Sequence, residues 1–221
     1  VFVVDFKATR DLAAGLTATV EPAGGTDALA ADNRAHVVVE VRDRVRIAMV
    51  SPPTFGRAGL IETLSPGQWI RRALAPGERG AMEIVDVDPS SLDEVDLRSV
   101  DVAFITRPDR LSDDGWRVLN DFVRRGGLAV FTPPAELNVH PWTDRLRTEL
   151  ELPWRIELEV VDHAAGLMLA DEQPSSELLR LLANELGPLT RSIRVHRVLP
   201  IDAAATQARR VLEFADGSPL M

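Results

Sequence analysis

Three hydroxyl residues stand at the ends of apolar, strand-like runs: Ser51 after 45–50, Thr106 at the end of 102–106 and Thr132 after 128–131. A hydroxyl becomes a nucleophile only with a base in hydrogen-bond reach and donors aimed at the developing oxyanion. Thr54 lies in the loop 51–59, where Gly56 and Gly59 could present amides to a phosphate. That loop lacks both G-x-G-x-x-G and G-x-x-x-x-G-K-[ST], so it carries no nucleotide signature. It also lacks the Asp-x-Ser-x-Ser run of a metal-binding adhesion domain, and no acidic pair follows the first strand as a receiver domain requires. Arg107 and Asp109 follow the third run, while Asp86 and Asp88 lie near the end of the second, 82–87. Such charges could equally cap loops or face water. Ser51, Thr54, Thr106, Arg107, Asp109 and Thr132 therefore form a candidate crevice at the carboxyl edge of a sheet.

Bases for these hydroxyls are scarce. His36, His140, His163 and His196 are scattered without metal-ligand spacing, and no H-E-x-x-H or paired-carboxylate motif accompanies them. Only His163 has a carboxylate beside it, in Asp162-His163. The chain contains no cysteine, which removes thiolate nucleophiles, disulfides and cysteine metal sites. The expectation is no catalytic residue, no metal and no cofactor, with hydroxyl-based hydrolysis as the rival reading.

The elements that must hold this crevice are legible from punctuation. Val45 to Val50 is a compact apolar strand ended by Ser51-Pro52-Pro53. Ser65-Pro66 reads as a helix N-cap with proline at the first helical position, opening a helix through Trp69, Ile70, Ala73 and Leu74 that stops at Pro76-Gly77. Strands follow at 82–87, 102–106 and 128–131. Between the last two, Ser112 caps a helix with Asp113 and Asp114 in its first turn. Trp116, Leu119, Phe122 and Val123 form its apolar face, and Arg124-Arg125-Gly126-Gly127 its end. Strand and helix alternating in this order predict a parallel sheet with right-handed crossovers and helices on both faces, a flavodoxin-like three-layer α/β sandwich. Beyond it, helices are expected at 141–150 and 175–186 and strands at 156–161, 193–199 and 210–214, the last two as an antiparallel edge. A hairpin turn is expected across 213–220.

The first 42 residues have a different texture. Alternating runs at 16–20 and 36–41, separated by a Gly/Asp/Asn-rich stretch, read as antiparallel strands outside the α/β sheet. The predicted organisation is the tail of a β-sandwich-like segment at 1–42 and an α/β domain at 43–221, cut at both ends from something longer.

Composition narrows the partners. The 221 residues are 45% hydrophobic and 27% charged, enough to build a core. A formal net charge of −9, 5% aromatics and no tyrosine disfavour nucleic acid as a partner. No run approaches a membrane span, so no direct insertion is expected of this stretch.

The succession of the 45–50 strand, Trp69-Ile70-Arg71-Arg72-Ala73-Leu74-Ala75-Pro76, Val100 to Ile105 and Asp121 to Phe131 resembles class I glutamine amidotransferase-like domains. Among these it is most similar to domains embedded in large bacterial BatA-type membrane proteins with an N-terminal pair of transmembrane helices, common in planctomycetes. There, an Ig-like segment ending in a pattern like Leu29 to Arg34 precedes the domain. The resemblance implies a membrane-anchored parent protein, a soluble domain within it, and partners among other proteins or neighbouring domains of the same chain. It also implies a non-catalytic reuse of the fold, because Thr132-Pro133-Pro134 stands where the family places its cysteine.

Overall fold

The computed structural model describes residues 12–19, 34–41, 44–53, 64–74, 82–133, 140–176, 179, 183–202 and 209–220. Strands β3 (Val45–Val50), β4 (Met82–Val87), β5 (Val102–Ile105) and β6 (Leu128–Phe131) form one sheet in the order β4-β3-β5-β6. Every neighbouring pair in it is parallel. The chain steps from β3 outward to β4, then crosses back over β3 to β5 and β6. Right-handed crossovers in opposite directions place the connecting helices on opposite faces.

Burial confirms that division. On one face Ala48, Val50, Val87, Ala103 and Ile105 join Leu97 of helix α2 (Glu94–Leu97) and Trp116, Leu119 and Phe122 of helix α3 (Asp113–Arg124). Trp142 and Leu146 of helix α4 (His140–Glu149) complete this core, and Trp116 stacks on Phe131 with ring centroids 6.2 Å apart. The alternate strand residue Met49 points the other way, towards helix α1 (Pro66–Leu74). A Cβ built on Gly67 there would lie 3.5 Å from Met49 Sδ. Two-residue alternation along β3 thus feeds both layers.

Local chemistry explains the helix ends. Ser65 Oγ accepts from the Gln68 amide at 3.4 Å while Gln68 Oε1 accepts from the Ser65 amide at 2.8 Å, a reciprocal capping box. In α3, Ser112 Oγ accepts from the Gly115 amide at 3.0 Å. At its other end Gly126 N–H bonds Val123 O at 2.9 Å, Gly127 N–H bonds Phe122 O at 3.0 Å, and Gly126 has φ of 94°. That is a Schellman close, and the positive φ is why glycine stands at Gly126.

Strands β1 (Leu12–Thr19) and β2 (Arg34–Val41) form an antiparallel ribbon that, among the described residues, pairs only with itself. The expected β segment ahead of the parallel sheet is present, extended to Leu12 and Arg34 at its two strand starts.

The C-terminal third departs from expectation. The single strand expected at 156–161 is split into β7 (Arg155–Ile156) and β8 (Val161–Leu167), which join different sheets. Strand β7 pairs with β10 (Ile201–Asp202), and β8 pairs with β9 (Val195–Val198), both antiparallel. The anticipated edge between 193–199 and 210–214 does not form. Phe214 instead bridges Leu169, and Glu213 bridges Pro219 across the expected hairpin turn. Helix α5 (Ala183–Thr190) runs past the expected stop at Leu186 and contains Pro188. Its last carbonyls find donors in Thr190 Oγ1, 2.8 Å from Leu186 O, and Arg191 N–H, 3.1 Å from Gly187 O. Residues 177–178 and 180–182 of that expected helix lie outside the described residues.

Candidate functional site

Register sets the site. Val87, Val50, Ile105 and Phe131 form one row across the sheet. The next residue on each strand is polar: Asp88, Ser51, Thr106 and Thr132. Backbone bonds carry the ladder into this row, from Ser51 N–H to Val87 O at 3.0 Å, Thr106 N–H to Val50 O at 3.1 Å, and Thr132 N–H to Ile105 O at 3.0 Å. With strands spaced about 4.8 Å apart, the row spans roughly 14 Å of carboxyl edge. Three of the predicted crevice residues are therefore brought together as neighbours.

Their surroundings differ. Thr106 is 2% exposed. Thr132 Oγ1 is buried with no hydrogen-bond partner among the described residues. Ser51 is half-buried and abuts the first turn of α1, where a Cβ on Gly67 would come within 2.9 Å of its Oγ. Glycine at this position lets strand end and helix start meet.

Arg107 and Asp109 form a closed pair, Arg107 Nε to Asp109 Oδ1 at 2.8 Å and Nη2 to Oδ2 at 2.6 Å. This fork uses both oxygens of the carboxylate. The hydrogen bond from Arg107 holds the Asp109 carboxyl below the usual aspartate range, and the same bond raises Arg107. Arg107 stands just before the short 3-10 turn 108–110 and Asp109 within it, so the pair fastens a loop. Thr54 lies outside the described residues.

The three histidines with described side chains lie elsewhere. His36 shares a 2.9 Å hydrogen bond with Thr17 in the β1–β2 ribbon. His196 Nδ1 is 3.2 Å from the His163 carbonyl oxygen on the β8–β9 hairpin. The carboxylate beside His163, Asp162, is taken by Arg197 at 3.1 Å. A second cleft of about 240 Å³ does bring His163 together with Asp216 and Ser218. The Ser218 hydroxyl donates to Asp216 Oδ1 at 2.6 Å and so has no base of its own. That hydrogen bond, with a second from the Ser218 amide, holds Asp216 below the usual carboxylate range. A nucleophile needs its proton aimed at the imidazole, which this order of groups does not provide.

An opening lies at the β3–β4 end of the row. A cleft of about 530 Å³ is lined by Ser51, Ser65, Gln68, Arg71, Asp86 and Asp88 over an apolar floor that includes Met49 and Val87. Arg71 and Asp86 are ion-paired. Asp88 accepts from the Ser90 hydroxyl at 2.6 Å and its amide at 2.8 Å, which keeps its carboxyl below the ordinary range. Sequence reasoning placed Ser51 and noted Asp86 and Asp88 but missed Gln68 and Arg71. The only signal for them was the helix cap at Ser65, which aims the first two turns of α1 at the strand ends.

Among the described residues no group of three histidines or acids could hold a metal ion, and no helix is long and apolar enough to cross a membrane. No protein-family model matches the chain, and neither a curated protein nor a solved structure matches it.

Proposed function

We propose that this α/β domain is a binding or scaffold module of a larger, membrane-anchored bacterial protein, working without covalent catalysis through contacts with other proteins or neighbouring domains. The observation that supports this is the carboxyl-edge row. Ser51, Thr106 and Thr132 are the hydroxyls placed where the chemistry of such a fold takes place, and no described histidine ring reaches any of them. Thioester chemistry needs a sulfur, and the chain has no cysteine. An ester route would need a base and an oxyanion hole beside one hydroxyl.

The test is turnover. Glutamine and activated esters incubated with the chain should react at the no-protein rate. Ammonia or ester release well above that rate, abolished by Thr132→Ala or Ser51→Ala and retained by Arg124→Ala, overturns the non-catalytic reading and establishes a hydroxyl nucleophile.

A further inference from the structure

The cleft between the carboxyl ends of β3 and β4 and the first turns of α1 has a composition that selects among ligand classes. Its volume of about 530 Å³ falls within the roughly 300–1,000 Å³ typical of small-molecule sites. An anion entering it would meet two carboxylates, Asp86 and Asp88. A cation would meet the Arg71 guanidinium and the positive end of the α1 backbone dipole. Each charged side chain already has a partner, Arg71 with Asp86 and Asp88 with Ser90. Arg71 and Asp86 neutralise each other, while Asp88, bonded to the uncharged Ser90, leaves the lining with one negative charge in excess, which disfavours an anionic ligand.

What remains is a set of directional donors and acceptors. The Ser51 hydroxyl lies at the inner wall, against Gly67. Gln68 has its carbonyl oxygen fixed on the Ser65 amide at 2.8 Å, which leaves both hydrogens of its amide nitrogen to donate. Arg71 and Asp86 side by side offer N–H donors and a carboxylate acceptor at adjacent points. Two neighbouring hydroxyls of one molecule match that pair, one accepting from the guanidinium and the other donating to the carboxylate. Met49, Val87, Pro52 and Pro53 give apolar surface for the C–H face of such a molecule.

We propose that this cleft binds a neutral, polyhydroxylated ligand, a saccharide, through Ser51, Gln68, Arg71 and Asp86. The proposal rests on the reading of the domain as a binding module and supplies a ligand class for it.

The experiment is a titration of the full 221-residue chain, followed by amide chemical shifts. The probes are glucose, galactose, mannose and N-acetylglucosamine with the disaccharides maltose, lactose and chitobiose. Phosphate, acetate and free arginine are the charged comparisons. At least one sugar should shift the amides of Ser51, Gly67, Gln68 and Asp86 in a saturable way, while the charged probes leave them in place. Arg71→Ala and Gln68→Ala should each weaken that binding by about tenfold or more, with Arg124→Ala unchanged. Gln68→Ala keeps the Arg71–Asp86 pair intact, so a loss there cannot be assigned to a broken ion pair. Absence of saturable shifts with every sugar, shifts confined to residues outside the cleft, or phosphate or arginine moving the same amides would each overturn the proposal. The same spectra report any sugar product. Binding accompanied by conversion leaves the saccharide site standing and overturns the non-catalytic reading, whereas no binding removes the site alone.

Discussion

Gly127 has no side chain because there is no room for one. A Cβ built there would lie 2.3 Å from the Cε2 and Cζ atoms of Phe122, which is 2% exposed in the core. Overpacking of this kind costs about 1–3 kcal/mol. Gly127→Ala should lower the urea midpoint accordingly, and an unchanged midpoint would show that the Phe122 ring has space to turn aside. The Gly-Gly pair was readable as a helix stop, but the collision was not, since it depends on where a ring five residues earlier comes to rest. A second prediction concerns the Arg107–Asp109 fork. Asp109 is depressed in the folded state, so its stabilising effect is complete above the ordinary aspartate value and lost as pH falls through its lowered one. Arg107 is raised, and its contribution persists until strongly alkaline pH. The difference in melting temperature between the native chain and Asp109→Asn should therefore be constant near neutrality and shrink on acidification. A difference that does not change down the acid limb would mean that the fork contributes nothing to folding.

At the scale of elements, α3 is the piece whose sequence and structure agree most fully. Ser112 caps it, Asp113 and Asp114 fill its first turn, and Trp116, Leu119 and Phe122 are all buried, while Val123, expected on the same face, is 36% exposed. Ser112→Ala leaves the Gly115 amide without its acceptor and should cost about 1 kcal/mol, read as a fall in thermal midpoint. Ser112→Asp should retain most of the stability, and equal losses for the two variants would argue against capping. The parallel strands were legible for a related reason: β3, β4 and β6 are short apolar runs closed by polar or proline turns, and their bounds agree with expectation. Thr106 was counted into β5 and lies one residue beyond it, continuing the ladder by a single backbone bond. Around Glu157 to Val160 no such punctuation exists. Pairs of two-residue strands such as β7 and β10 carry too few side chains to show alternation, so the break between β7 and β8 could not be read from the sequence. The site follows the same rule. Its strand-end hydroxyls were legible from position alone, whereas Gln68 and Arg71 depended on the direction in which α1 leaves its cap.

For the whole molecule, the division near residue 42 becomes a statement about folding. The β1–β2 ribbon bonds only to itself among the described residues, while β3 is the inner strand between β4 and β5. Residues 43–221 expressed alone should retain the far-ultraviolet signature of the α/β sandwich and unfold in one cooperative step. Loss of that step on removing 1–42 would show that the ribbon is part of the sandwich's core. The placement of the indole rings has a further consequence. The chain has four tryptophans and no tyrosine, so every ultraviolet-excited emission from its polar aromatic rings comes from indole. Trp116 and Trp142 are 1% exposed in the core beneath the sheet, Trp154 is half-buried, and Trp69 is 47% exposed on α1. An aqueous quencher such as iodide will silence Trp69 first and leave the two core rings emitting. The molecule thus carries separate optical reporters, one on the exposed surface of α1 and two that change only when the core opens.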